Sequence, residues 1–190
     1  MGTVAWGFTC SLDGFIAGPG HDMSWLSTAE FAEGTTESVA SEVAVIISGR
    51  RGYDAAKALA DSRDELTAEP YGGAWSGTEI ILTHRPAELA GDDSVIALDC
   101  SIAEAIDRAQ ALAGDGDIQI ISADIARQAL EADLIDELQV FVAPVFLGDG
   151  TRIFDVPGGR RIDWELVAID EANARSCGRT YRPRRSAAYR

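Results

Sequence analysis

Four short polar or glycine-containing stretches follow apolar, strand-like runs in this chain. They are SLDGFIAG after Cys10, SGRRGYD after Ile47, THRP after Leu82 and SADIARQ after Ile121. In open α/β sheets, ligands bind in the crevice beyond the carboxyl ends of parallel strands. If the four runs are neighbouring parallel strands, the four stretches gather along one edge of the sheet and can form a single binding site.

The second stretch has the residues of a phosphate site: Gly49, Arg50, Arg51 and Gly52 lie between an apolar run and a helix-like segment. A helix N-terminus offers unpaired N–H groups and the positive end of its dipole, and arginines add forked, fully charged donors. The alternative is an ordinary strand–helix turn whose arginines lie in solvent. The stretch matches neither the Walker pattern nor G-x-G-x-x-G.

The third and fourth stretches carry similar groups. Thr83, His84 and Arg85 supply a hydroxyl, an imidazole and a guanidinium, and Ser122 lies just before a predicted helix. The alternatives are a polar strand exit before Pro86 and an ordinary helix N-cap.

Asp13 is the strongest candidate for a catalytic acid. It follows the first strand and precedes a glycine, and Phe15 and Trp25 come soon after it. Aromatic walls around a carboxyl group raise its pKa, which suits acid–base chemistry. The alternative is a plain Asp-Gly turn. Metal and covalent chemistry are not indicated, because His21 and His84 lack companion ligands at metal spacing and no cysteine has an obvious base nearby.

The elements that must position these residues alternate between strands and helices, and strands alone follow at the end. This order predicts an α/β fold with a mostly parallel sheet and an antiparallel C-terminal edge. The clearest helix begins with a capping box, Ser101 and Glu104, and ends before Gly114. Its predicted buried face consists of Ile102, Ala105, Ile106, Ala109 and Leu112.

The net charge and the composition argue against several classes of partner. The 190 residues carry a formal net charge of −15, which argues against nucleic acid and anionic membranes. No apolar run is long enough to span a bilayer, and three widely spaced cysteines fit a cytoplasmic protein. We expect one domain over residues 1–182 and a basic tail over 183–190, whose arginines pair with the protein's own carboxylates or a neighbouring subunit.

The chain resembles the dihydrofolate reductase-like superfamily, in particular the branch that contains the C-terminal reductase domain of the riboflavin-pathway deaminase/reductase (RibD). The resemblance covers roughly Val4 to Tyr181. It rests on SLDGFIAG, HDMSWL, GRRGYD, GGAWSG…ILTHRP, ADIARQALEADLIDEL and APVFLGDGTRIFD, which occur in that order.

The resemblance implies a three-layer fold with a central mixed sheet and helices on both faces, NADPH as the hydride donor, and a homodimer. Cofactor-binding residues would be Ala17 at the nicotinamide; Gly49, Arg50, Arg51 and Gly52 at the pyrophosphate and 2′-phosphate; Thr83, His84 and Arg85; and Ser122, Ala123 and Ile125. Asp13 would be catalytic and would face the substrate, with Phe15 and Trp25 beside it.

Two positions depart from the family pattern. Members commonly have threonine at the position of Gly52, where the hydroxyl helps to hold pyrophosphate, and glycines at the positions of Ile121 and Ser122. Losing one phosphate hydrogen bond typically costs about 1–3 kcal/mol.

The leading hypothesis is an NADPH-dependent reductase in riboflavin biosynthesis, acting on a flat heteroaromatic, pteridine or ribosylaminopyrimidine. The alternatives are a non-catalytic ligand-binding or assembly protein on the same fold, and an enzyme that uses a flavin-type dinucleotide.

Overall fold

The computed structural model of the chain describes residues 2–28, 40–62, 70–170 and 177–184. The chain divides into two compact units. The first unit comprises Met1–Ala5 and Glu33–Leu134, and the second comprises Trp6–Ala32 and Ile135–Arg190. No helix within the described residues is long and apolar enough to cross a membrane.

The described residues include ten strands and three α-helices with both ends described, and residues 40–42 are also helical. The strands are β1 Val4–Cys10, β2 Phe15–Ala17, β3 Val43–Gly49, β4 Thr78–Leu82, β5 Val95–Leu98, β6 Asp117–Ile120, β7 Glu137–Val142, β8 Thr151–Arg152, β9 Trp164–Asp170 and β10 Cys177–Pro183. The helices are α1 Arg50–Ser62, α2 Ile102–Ala113 and α3 Ala123–Glu131. Short 3₁₀ turns occur at Pro19–His21, Ser24–Thr28, Pro70–Gly73 and Pro86–Leu89.

Eight strands form one sheet in the order β5-β4-β3-β6-β1-β7-β10-β9, and β2 pairs with β8 in a separate small sheet. The pairs β3–β4, β3–β6 and β4–β5 are parallel. The pairs β10–β7 and β10–β9 are antiparallel. The predicted fold class, a mostly parallel mixed sheet with an antiparallel C-terminal edge, is confirmed.

The core of the first unit is built from isoleucines of β3, β4 and β6. The pairs Ile46–Ile47 and Ile80–Ile81 are fully buried although consecutive side chains point to opposite faces of a sheet. Both faces of these strands are therefore covered, as expected for parallel strands with helical crossovers. Each buried isoleucine stabilises the fold by about 1.5–3 kcal/mol relative to an exposed one.

Helix α2 begins as the sequence predicts. The Ser101 hydroxyl accepts a hydrogen bond from the Glu104 N–H, and the Glu104 carboxylate accepts one from the Ser101 N–H. The helix ends at Gly114, which has a φ of 60°.

One member of its predicted buried face is wrong. Ile102, Ala105, Ile106 and Ala109 are buried, but Leu112 is 41% exposed. At about 100° per residue, Leu112 lies at the margin of the apolar stripe and in the last turn, so its side chain is outside the packed face.

In the second unit, β7 ends at Val142, two residues before Pro144, because proline cannot donate to the ladder. The two predicted terminal strands correspond to β9 and β10. The small β2–β8 sheet pairs Ala17 with Thr151.

We predict that Gly150→Ala destabilises this small sheet and the unit that contains it. Gly150 has a φ of 134°, and an added Cβ would lie 2.0 Å from the Ala17 carbonyl oxygen. Strain and overlap of this kind cost about 2 kcal/mol or more in free energy of unfolding, measurable by urea denaturation. Gly91→Ala is the control, since an added Cβ there meets nothing within 4 Å. Equal stability of the two variants would contradict the prediction.

Candidate functional site

Three of the four predicted stretches lie at one edge of the sheet in the first unit, because parallel pairing fixes their register. Gly49, the last residue of β3, is aligned with Leu82, the last residue of β4. On the other side of β3, Ile47 is aligned with Ile120. Ser122 therefore lies two residues beyond Ile120, as Gly49 lies two residues beyond Ile47. Thr83 to Arg85 begin one residue beyond Leu82, the partner of Gly49.

The ends of β3 and β6 approach each other closely. A Cβ added to Gly49 would lie 3.1 Å from the Ser122 hydroxyl oxygen and 3.7 Å from a side-chain carbon of Ile125. Ser122 is the N-cap residue of α3, but its side chain makes no capping hydrogen bond. Gly49, Ser122 and Ile125 thus form one small cradle, where the hydroxyl and the first N–H groups of α3 are available to an anion.

Ala123 and Ile125 of this turn are partly or fully buried, whereas the side chain of Ile121 is exposed. Ala123 is partly buried at the start of α3, and the side chain of Ile125 is buried, so each can offer only its backbone to a ligand. Ile121 donates its N–H to the Ile47 carbonyl at 3.2 Å, and its side chain is 40% exposed, not directed into the core.

Arg50 is held by two carboxylates. Its Nε donates to Asp54 at 2.7 Å within the first turn of α1, and its Nη1 lies 3.1 Å from Glu88. The hydrogen bond to Asp54, aided by the charges of Asp54 and Glu88, raises the pKa of the guanidinium above its ordinary value. Arg50 is therefore a fixed cation whose charge is already compensated.

Arg85 meets the same carboxylate. Its Nη1 donates to Glu88 at 3.0 Å, and its backbone N–H donates to the Thr83 hydroxyl oxygen at 3.1 Å. Arg50 and Arg85, predicted to act together, are thus joined through Glu88. His84 points elsewhere: its side chain is almost fully exposed and lies 3.0 Å from Asp99.

Arg51 and Gly52, the other two residues of the predicted phosphate-binding turn after β3, are exposed. Arg51 lies near the start of α3, where its charge contributes to a lowered pKa of Asp124 that is due chiefly to a hydrogen bond from Arg127. Gly52 is exposed, and a Cβ added there would meet nothing within 4 Å.

Two residues of α1, Tyr53 and Lys57, connect this helix to the turn before β5. Tyr53 donates its hydroxyl to Asp92, and Lys57, one turn later, bonds to the same carboxylate. The hydrogen bond from Lys57 is the main reason that the pKa of Asp92 lies well below its ordinary value. This anchor sets the orientation of α1 and hence of Arg50 at its start.

In the second unit, Asp13 holds together the loop after β1 and the turn after β7. The Ser11 hydroxyl donates to Asp13 Oδ1 at 2.6 Å, and the Leu147 N–H donates to the same oxygen at 3.1 Å. The Gly148 N–H donates to Oδ2 at 2.7 Å. Ser11 is itself buried and accepts a hydrogen bond from the Phe15 N–H.

These contacts shift the pKa of Asp13 in the direction opposite to the one predicted from the sequence. The hydrogen bond from Ser11, followed by those from Gly148 and Leu147, lowers the pKa of Asp13 to about 2. The sequence-based expectation of a raised pKa is wrong, because hydrogen-bond donors to the ionised form outweigh desolvation. Asp13 is a carboxylate at neutral pH.

The other predicted substrate-side residues are mostly buried in this unit. Trp25 packs with Ala143, and Leu26, Val145 and Leu147 lie against this pair. Phe15 is buried, with the Arg152 guanidinium 4.6 Å from its ring centroid. Ala17, which was predicted to lie at the nicotinamide of the cofactor, is buried in β2.

A family model described as the RibD C-terminal domain matches residues 2–178. The chain belongs to the RibD C-terminal domain family. A search of curated proteins gave no match.

Solved structures share the fold at low sequence identity. A protein from Shewanella sp. PV-4 named for riboflavin biosynthesis has a TM-score of 0.75 and 20% identity, and the match covers 97% of this chain and all of that one. The Thermotoga maritima diaminohydroxyphosphoribosylaminopyrimidine deaminase/5-amino-6-(5-phosphoribosylamino)uracil reductase has a TM-score of 0.66 and 16% identity, with 96% of this chain and 56% of that chain covered.

A dihydrofolate reductase from Enterococcus faecalis, complexed with NADP(H), has a TM-score of 0.58 and 16% identity, with 96% of each chain covered. At these identities the likeness establishes the shared fold. Family membership and the reductases among these structures support an oxidoreductase.

Sequence reasoning missed the acidic partners of the arginines. Asp54 lies four residues after Arg50 and Glu88 three after Arg85, and both spacings are signals of ion pairs within helical turns. Arg50 and Glu88 lie far apart in the sequence, so no local spacing predicts the ion pair between them. The homodimer, the cytoplasmic location, the small-molecule substrate and the domain limits at 182 and 183 stay predictions, and residues 185–190 of the tail lie outside the described residues.

We predict that Asp13→Asn destabilises the protein at neutral pH and that the difference disappears in acid. The pKa of Asp13 is about 2 in the fold, against an ordinary value of 3.8, so its ionised form stabilises the fold above pH 4 and this contribution is lost as the pH falls through 2. Thermal melts at pH 7, 4 and 2 measure the difference. Asp155→Asn, at an exposed position of the same unit, is the control. A difference in Tm that does not depend on pH would contradict this assignment.

Proposed function

We propose that this protein is an NADPH-dependent reductase of the riboflavin pathway type, which acts on a flat heteroaromatic or ribosylaminopyrimidine substrate. The observation that carries the proposal is the meeting of three strand ends in the first unit. There the Gly49–Ser122 cradle lies next to Arg50, and Arg85 reaches the same carboxylate as Arg50.

The residues of this edge fit a dinucleotide. The absence of a side chain at Gly49 leaves room beside Ser122, and the N-termini of α1 and α3 offer backbone N–H groups to a pyrophosphate. Arg50 and Arg85 would bind the phosphate on the adenosine ribose, as forked donors that match phosphate oxygens. When bound, the nicotinamide would supply the hydride.

Asp13 would act on the substrate as an acceptor and not as a proton donor. Its low pKa keeps it ionised at neutral pH. Oδ1 accepts two of the described hydrogen bonds and Oδ2 accepts one, so Oδ2 has capacity for an N–H group of a pyrimidine or for an ordered water that delivers the proton. The hydrogen bonds from Ser11, Leu147 and Gly148 would keep this oxygen in a fixed position.

We predict that NADPH binds the purified protein with a Kd below about 1 mM. Titration of nicotinamide fluorescence measures binding, and the loss of absorbance of the reduced nicotinamide measures turnover with ribosylaminopyrimidine or pteridine substrates. An absence of binding would overturn the proposal. Binding without turnover of any such substrate would instead favour the non-catalytic protein on the same fold, and flavin binding would favour the flavin alternative.

We predict that Gly52→Thr tightens NADPH binding by about tenfold, the equivalent of ~1.4 kcal/mol for one added hydrogen bond to phosphate. Position 52 is in the first turn of α1, and the space around it is open, so a threonine fits without displacing any neighbour. The Kd is measured by the same fluorescence titration.

Gly52→Val is the matched control, because valine has the shape and β-branching of threonine but lacks the hydroxyl. If valine tightens binding as much as threonine, the gain comes from the backbone of α1. If neither variant binds more tightly, the pyrophosphate does not lie at this turn.

A further inference from the structure

The Glu88 carboxylate occupies the position at which an external anion would meet Arg50 and Arg85. One of its oxygens lies 3.1 Å from Arg50 Nη1, and the other lies 3.0 Å from Arg85 Nη1. A carboxylate that spans two guanidinium groups in this way pairs with the same charges as a phosphate group would. Its contact with Arg85 is a hydrogen bond, whereas its contact with the buried Arg50 Nη1 is an ion pair without hydrogen-bond geometry. Glu88 is therefore an internal anion at the site.

Arg50 has its Nη1 group next to the Glu88 carboxylate. Its Nε is used by Asp54, which leaves the Nη groups for Glu88 or for a ligand. The side chain of Arg50 is only 21% exposed, so the guanidinium stays in place when its partner changes. Arg85, at 68% exposure, is the more adaptable of the two cations.

The four side chains of this cluster, Arg50, Arg85, Asp54 and Glu88, carry two positive and two negative formal charges. A phosphate that binds the two arginines must displace Glu88 from both of them and then remains near its negative charge. A free ribose hydroxyl has no such requirement, because a carboxylate accepts a hydrogen bond from it. The same residue therefore opposes a 2′-phosphate and tolerates a 2′-hydroxyl.

We propose that Glu88 determines the choice between phosphorylated and unphosphorylated dinucleotide, by competing with the 2′-phosphate for Arg50 and Arg85. This inference rests on the proposed function, since it assumes that a dinucleotide binds at this edge. Glu88 is a specificity-determining residue and takes no part in hydride transfer. The wild-type protein distinguishes NADP⁺ from NAD⁺ less strongly than its two arginines alone would allow.

The test is the ratio of the Kd for NAD⁺ to the Kd for NADP⁺, measured by calorimetry for the wild type and for Glu88→Gln. Glutamine keeps the length and shape of the side chain and removes the charge. We expect the ratio to rise roughly fivefold, the effect of one unit charge at short range that is screened as in water, because the Glu88 side chain is 43% exposed. The change should come from tighter NADP⁺ binding. It should be smaller when Glu88→Gln is made in an Arg85→Gln background, because Glu88 then competes only for Arg50.

Glu131→Gln is the matched control. Glu131 forms an exposed ion pair with Arg127, and it lies at the far end of α3 from Ser122. The same loss of charge at this position should leave the ratio unchanged. A similar rise in the control would show a general effect of net charge and would overturn the inference.

Two further outcomes separate this inference from the proposed function. If both dinucleotides bind but Glu88→Gln leaves the ratio unchanged or lowers it, Glu88 does not compete, and only the inference fails. If neither dinucleotide binds, the proposed function fails. In that case, tighter binding of adenosine 2′,5′-bisphosphate to Glu88→Gln would still show the competition at the two arginines, and no binding would overturn it.

Discussion

The parallel register of β3 with β4 and β6 is the constraint on which the candidate site depends. It aligns Gly49 with Leu82 and Ile47 with Ile120, so that the turns after the three strands begin within two residues of one another. The buried isoleucines of these strands hold this register, because they are closely packed on both faces of the sheet and a slip would disturb that packing. Packing in the core thus decides which polar residues become neighbours at the edge.

Charge compensation shapes this edge as strongly as the sheet does. The sequence predicted an electropositive turn, and the structure shows arginines whose charges are already matched by Asp54 and Glu88. The composition favours such pairing, since the chain has 31 aspartates and glutamates against 16 lysines and arginines. An anion that binds here exchanges one set of ion pairs for another, so its affinity depends on the difference between the two sets and not on the arginines alone.

Asp13 shows how the same residue type takes a different role when its surroundings are known. The aromatic residues nearby suggested an apolar pocket and a proton donor, but Trp25 and Phe15 are buried in the packing of the second unit. The carboxylate instead receives hydrogen bonds from Ser11, Leu147 and Gly148, which stabilise its charged form. At neutral pH this carboxylate can accept further hydrogen bonds but has no proton to donate.

The sequence by itself determined what depends on local patterns: the strand order along the chain, the fold class, the capping box of α2 and the strand ends at which Gly49, Arg85 and Ser122 lie. These features rest on periodicity and on interactions between residues a few positions apart. Only the tertiary structure decided that Arg50 meets Glu88, and that two of the three partners of Asp13 lie 134 and 135 residues further along the chain. The physical reason is that ion-pair energies and pKa shifts depend on distance and burial in space, which residue spacing does not encode.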